Sequence, residues 1–361
     1  MKKLICLMLA LQICLLAGCA AEDAPETTEP AETAAASVAP AETEGIPQGE
    51  PDSEVQANAQ AQEAFLFLSV SRLDFSLVGE SEDIYLGTLP RENVIFESED
   101  PSVATFENGV VTAVGVGSTT VTVNDGTNSI TCQVSCLAED AETLEELPEE
   151  ILRKSKRYPP VMGDEPMDYF TNTAIVGDSI SHILFQWESK FDYLGEPLFL
   201  VRGGTGLNGV VEDYWPILYK GQYAKIEDAL LDAGCSRVFI MLGQNDLRYR
   251  EIEDCLESWK ILLASIREKN PDVEVHIQSV IPEWLPTRVD NANNEKIEAF
   301  NEKMKVFAEE NGCYYVDIGY YVVDHTGRMS NEYEMDQSIH MNYEGCYAWI
   351  QALKAYAFLQ Q

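Results

Sequence analysis

Thr173-Ala174-Ile175-Val176-Gly177-Asp178-Ser179-Ile180 is the stretch that decides the fold of the C-terminal half. An apolar, β-branched-rich run, Ala174-Ile175-Val176, leads straight into a Gly-Asp-Ser turn, as a strand buried on both faces would. Similar runs recur at residues 198–201, 237–242, 273–280 and 313–318, with amphipathic stretches at 223–232, 251–269 and 295–311 between them and a last one at 343–359. Strand and helix in alternation predict a parallel sheet covered on both faces. The expected fold class is α/β: a flavodoxin-like three-layer α/β/α domain over 167–361, its five-stranded parallel sheet in the order 2-1-3-4-5. A site is expected at the carboxyl ends of the strands, near the first.

That order gives three loops a common purpose. The first strand runs into Gly177-Asp178-Ser179, the second into Arg202-Gly203-Gly204-Thr205-Gly206, and the third into Gly243-Gln244-Asn245-Asp246. A serine nucleophile would then sit between two sets of hydrogen-bond donors, as acyl transfer requires when charge develops on a carbonyl oxygen. Gly-Asp-Ser alone is a weak signal; its place after an apolar strand, with the later blocks in order, is what carries the reading.

These blocks also carry a resemblance. Gly177-Asp178-Ser179-Ile180 resembles the GDSL block with Ile for Leu, Gly243-Gln244-Asn245-Asp246 the block bearing an oxyanion Asn, and Ile339-His340-Met341-Asn342 the terminal His block of the SGNH/GDSL hydrolases, over about residues 172–358. The resemblance implies that Ser179 is the nucleophile and His340 the general base. It implies oxyanion donors from the Ser179 N–H, the Asn245 amide and a glycine-loop N–H, for which Gly204 and Gly206 both align. One block departs from the family: the acid usually stands three residues before the His, where this chain has Gln337. Asp336, four before, is favoured if a one-residue bulge forms; Glu334 is the reserve, and a Ser–His dyad held by a backbone carbonyl is the alternative. Among the four histidines, His182 lies one helical turn past Ser179, His276 alternates with apolar neighbours as a packed strand residue, and His325 is expected to be solvated in a turn. Trp187, Trp215 and Trp284 are candidates for a sugar-lined cleft, Trp284 foremost; aromatic core is the competing reading. No His/Asp/Glu cluster has metal spacing and a serine mechanism needs none, so no metal or cofactor is expected.

The N-terminal half is organised differently. Met1-Lys2-Lys3 followed by a short apolar run to Leu16-Ala17-Gly18-Cys19 resembles a lipoprotein signal peptide over 1–18, which implies lipid attachment at Cys19 and an extracytoplasmic, membrane-anchored location. Residues 19–63 are an acidic linker, rich in Ala, Glu, Thr and Pro, with too little apolar surface to order itself. Residues 64–137 show short β-rich runs at 65–70, 83–87, 93–97, 110–114 and 119–123, with turns at Asn108-Gly109 and Asp125-Gly126, and so predict an all-β sandwich. Asp100-Pro101-Ser102-Val103-Ala104 and Asn108-Gly109-Val110-Val111-Thr112-Ala113-Val114-Gly115 resemble the bacterial Ig-like group-2 domain, which implies a spacer or a cell-wall or carbohydrate binder. Residues 138–166 form an acidic connector, helix-prone over 142–156.

A net charge of −37 repels phosphate backbones and disfavours a nucleic-acid partner. Of nine cysteines, Cys132, Cys136, Cys235, Cys255, Cys313 and Cys346 fall in the folded part, without a CxxC pair. The expected function is a cell-surface serine esterase that hydrolyses acyl esters, O-acetyl groups on glycans foremost, through an acyl-serine. O-acyl transfer to a glycan by the same residues and a non-catalytic adhesin are the alternatives.

Overall fold

The computed structural model describes residues 64–285 and 293–361. The signal segment, Cys19 and the acidic linker lie outside the described residues.

The first part, in chain order, consists of β1 (Arg72–Leu77), β2 (Ser81–Asp83), β3 (Ile95–Ser98), β4 (Ala104–Glu107), β5 (Val110–Ala113), β6 (Gly117–Asn124) and β7 (Ser129–Ala138), then α1 (Ala141–Glu145), α2 (Glu149–Leu152) and β8 (Arg157–Tyr158). A five-stranded sheet, β3-β6-β7-β1-β8, and a three-stranded sheet, β2-β5-β4, share one apolar core that includes Phe75, Ile84, Phe106, Val111, Val123 and Val134. Val121 and Val123 are buried while Thr120 and Thr122 between them are half-exposed, the alternation expected of this strand. Asn108 and Gly109 both take positive φ (51° and 86°), and Glu107 pairs with Val110 across them, so the two form a tight hairpin turn. The 65–70 run forms only an isolated bridge, Leu68 to Tyr85. The helix expected over 142–156 is two short helices parted by Pro148, which caps α2, and its last residues give way to β8 against β1.

The second part follows as β9 (Thr173–Gly177), α3 (Ser179–Phe191), β10 (Leu198–Val201), α4 (Leu207–Val211), β11 (Ile217–Tyr219), β12 (Gln222–Ala224), α5 (Ile226–Ala233), β13 (Arg237–Met241), α6 (Ile252–Lys269), β14 (Glu274–Gln278), α7 (Asn294–Glu310), β15 (Tyr314–Val316), α8 (Gly319–Val322) and α9 (Tyr343–Leu359). Its five-stranded sheet runs β10-β9-β13-β14-β15, all parallel, which is the expected 2-1-3-4-5 order. Every residue of β9 is buried, which is why that strand reads as an unbroken apolar run. Helix α3 packs with α9, and α6 with α5 and α7. Right-handed crossovers put these two groups on opposite faces of the sheet. The hairpin β11–β12 is an addition between β10 and α5, turned at Lys220-Gly221 with φ of 49° and 76°.

Register sets the site. Val201 and Met241 both pair with Gly177, so the three strands end at one level and their loops emerge side by side. Glycine is required at 177, because a Cβ there would run into the Ser181 side chain, whose own Cβ would be 2.6 Å away. No helix among the described residues is long and apolar enough to cross a membrane.

Candidate active site

Ser179 is the first residue of α3, and the helix is opened by Asp178, whose carboxylate accepts the Ile180 N–H at 2.9 Å. The hydroxyl therefore sits half-buried at the positive end of a 13-residue helix, next to N–H groups that have no intrahelical partner. His340 arrives on the loop before α9, the helix that packs beside α3. Its Nε2 lies 2.9 Å from Ser179 Oγ and its Nδ1 2.5 Å from Asp336 Oδ2.

The Asp336–His340 spacing closes through Gln337, which takes a positive φ of 57° and so absorbs one extra residue, as the bulge requires. The turn is tied twice more: Asp336 Oδ1 accepts the N–H groups of Ser338 (3.0 Å) and His340 (3.3 Å), and Met335 N–H donates to His340 O at 3.0 Å. Glu334, the reserve acid, accepts the Gln337 N–H at 2.8 Å and braces the turn. Burial pushes the Asp336 carboxyl up, but the bond from His340, its charge and the two backbone N–H groups outweigh burial and leave it below the usual range.

Asn245 lies between the two neighbouring loops: its Nδ2 donates to Asp178 Oδ2 and to the Thr205 carbonyl, each at 3.0 Å. Both amide hydrogens are thus engaged, and donation to an incoming oxygen requires release of one. The two glycines separate. A Cβ on Gly206 would lie 2.7 Å from Asp246 Oδ2, whose carboxylate caps α4 by accepting the N–H groups of Leu207 (2.7 Å) and Asn208 (3.1 Å). Gly204 stands open at φ 73°, its nearest neighbour Trp215 Nε1, which donates to Gly203 O at 3.2 Å.

Residues 175–348 match the family described as GDSL-like lipase/acylhydrolase. The chain carries a GDSL-like lipase/acylhydrolase domain. This makes it an ester hydrolase, and Ser179, Asn245, Asp336 and His340 all fall inside the matched span. No curated protein matches the chain. Solved structures similar to it include a GDSL-like lipase from Bacteroides thetaiotaomicron (15% identity, TM-score 0.43, covering 56% of this chain and 94% of that one). Another is a carbohydrate esterase family 3 structure from Talaromyces cellulolyticus (17% identity, TM-score 0.38, covering 52% of this chain and 97% of that one).

Around the acylhydrolase site, sequence reasoning passed over Asp178 and Asp246 as letters of a motif. Asp178 is fully buried, and burial, only partly offset by the Ile180 N–H and the charge of His340, pushes its carboxyl up to about 6. An Asp directly before a helix is an N-cap signal that could have marked it. Trp215 is flanked by Arg202, whose guanidinium lies 3.8 Å from the ring centre. Trp187 packs against Tyr343, three residues past His340, and Trp284 donates from Nε1 to Asn331 Oδ1 at 2.5 Å. His276 is a packed strand residue, stacked between Phe239 and Tyr314 and lowered by burial to about 3. His325 corrects the solvated expectation: its Nδ1 lies 2.9 Å from Ser76 of β1, and burial lowers it to about 4. All six described cysteines are free thiols.

Proposed function

We propose that the chain is an exported, lipid-anchored serine esterase that removes small acyl groups, O-acetyl foremost, from carbohydrate. Ser179 Oγ attacks the ester carbonyl as His340 Nε2 takes its proton; the alcohol leaves with that proton, and water then cleaves the acyl-serine by the same route. Asp336 holds the His340 tautomer and stabilises the imidazolium. The Ser179 and Gly204 N–H groups and the Asn245 amide, once it gives up the Thr205 carbonyl, receive the oxyanion. The observation that carries this reading is the imidazole held between Ser179 at 2.9 Å and Asp336 at 2.5 Å.

The carbohydrate part rests on aromatic surface: Trp215 beside the glycine loop, with Arg202 stacked on its ring, and the pair Trp187 and Tyr343 suit sugar faces. Cys19 would anchor the chain, the acidic segment would give it reach, and residues 64–137 would be a bacterial Ig-like domain that contacts wall or glycan. The full chain assayed on p-nitrophenyl acetate, butyrate and octanoate, beside acetylated xylan, tests the substrate class. Acetate should give the highest kcat/KM, and the glycan should release acetate; preference for octanoate with inert glycan would overturn it.

A further inference from the structure

The chain ahead of the matched acylhydrolase span is not a loose tether. Residues 149–158 run along the loop that carries Asp336 and His340. Arg153, only 2% exposed, pairs through Nε with the buried Asp324 carboxylate. Its Nη2 donates to Met329 O at 2.8 Å and to Trp284 O at 3.4 Å, and its guanidinium lies 5.0 Å from the Trp284 ring. Its own carbonyl accepts the Asn331 N–H at 2.8 Å and the Ser330 hydroxyl at 3.0 Å. Farther along, the Ser155 N–H (3.0 Å) and the Tyr158 hydroxyl (2.7 Å) both donate to Glu332 Oε2. Trp284 passes the restraint on: its N–H donates to Ser338 O at 2.7 Å, two residues before His340.

We infer that Arg153 is a positioning residue for the acid–base pair, and that the working site of this enzyme therefore begins before its acylhydrolase domain. From 329 to 341 the loop has no helix and only isolated bridges, so its shape depends on such ties. Stability alone does not call for a buried arginine, since a well-packed apolar group would serve as well or better. What a guanidinium adds is a rigid fork that fixes two carbonyls and a carboxylate at once. The remaining anchors reach the N-terminal sheets. Strand β8 pairs with β1, and Arg157 and Tyr320 both bond Glu82 of β2. Displacement of a catalytic group by about 1 Å costs on the order of 10²-fold in rate, so loosening this loop should register in kcat.

This inference rests on the assignment of Asp336 and His340, and the test separates the two. In the full chain, Arg153→Lys keeps a cation opposite Asp324 but loses the fork, Arg153→Met removes both, and Glu332→Gln weakens the outer tie. Met304→Ala, a buried change in α7 away from the loop, matches lost stability without touching the strap. Turnover per active site, titrated with an organophosphonate well below each variant's Tm, should fall roughly 10- to 100-fold in the Arg153 variants with KM little changed. The acid limb of the pH–rate profile should move to lower pH, because a loosened Asp336 stabilises the imidazolium less. Met304→Ala should keep wild-type turnover per site. Unchanged turnover in Arg153→Lys and Glu332→Gln while His340→Ala is inactive would overturn the positioning role, as would an equal loss in Met304→Ala. An active His340→Ala would instead remove the catalytic assignment beneath it. Should Arg153→Met fail to fold, the Lys and Gln variants decide.

Discussion

Asp336→Asn is the substitution whose effect the geometry constrains best. The carboxylate faces three donors: His340 Nδ1 at 2.5 Å on one oxygen, and the Ser338 and His340 N–H groups on the other. An amide can satisfy the two backbone donors only with its own oxygen, which turns its NH2 toward the imidazole. Nδ1 must then accept, the ring proton moves to Nε2, and the nitrogen 2.9 Å from Ser179 Oγ can no longer take the serine's proton. Loss of the correct tautomer in a triad costs about 10⁴ in kcat, or about 5.5 kcal/mol of transition-state stabilisation. Steady-state hydrolysis of p-nitrophenyl acetate by Asp336→Asn and Glu334→Gln, side by side, reads this directly. Asp336→Asn should lose kcat on that scale with KM nearly unchanged, while Glu334→Gln, which only braces Gln337, should lose less than tenfold. A crippled Glu334→Gln with an active Asp336→Asn would move the acid two residues upstream, and two active variants would leave a Ser–His dyad.

Asn245→Ala should lower kcat by roughly 10²–10³ with little change in KM, because the lost donor acts mainly on the transition state; a rise in KM alone would assign Asn245 to ground-state binding. Asp178 sets a pH dependence of stability. Its folded carboxyl is raised to about 6 from 3.8, so its stabilising contribution is full below the unfolded value and is lost as pH rises through about 6. Relative to wild type, Asp178→Asn should therefore gain stability between pH 4 and 7, by an amount on the order of 3 kcal/mol at most, in urea unfolding. The same variant turns an NH2 toward Asn245 Nδ2 and should lose kcat; a flat stability difference across that pH range would refute the burial argument.

The sheet and its loops were legible because a parallel strand buried on both faces leaves an apolar run, and β9 is such a strand throughout. The Ser179, Asn245 and His340 blocks could be read for the same reason: each follows a strand end or opens a helix. The Asp336 bulge was readable as a need, though only the positive φ of Gln337 shows how it is met. Strand β1 was overlooked although Leu73, Phe75 and Leu77 alternate with polar residues; what the alternation could not show is that Asp74, on its polar face, is also buried, held there by Arg72 and Ser135. The β11–β12 hairpin has three-residue strands that are too short and too exposed to announce themselves. His325 read as solvated and Arg153 was not singled out, because their partners, Ser76 and Asp324, lie 249 and 171 residues away in the chain. No local pattern carries a contact of that separation.

The central claim is that Ser179 is an activated nucleophile, and covalent labelling tests it most directly. The full chain and its Ser179→Ala variant would be treated with a fluorescent organophosphonate, and the modified peptide identified by mass. Stoichiometric labelling on Ser179 that disappears in the alanine variant, together with all esterase turnover, is the predicted result. Undiminished labelling or turnover in a folded Ser179→Ala protein would contradict the account.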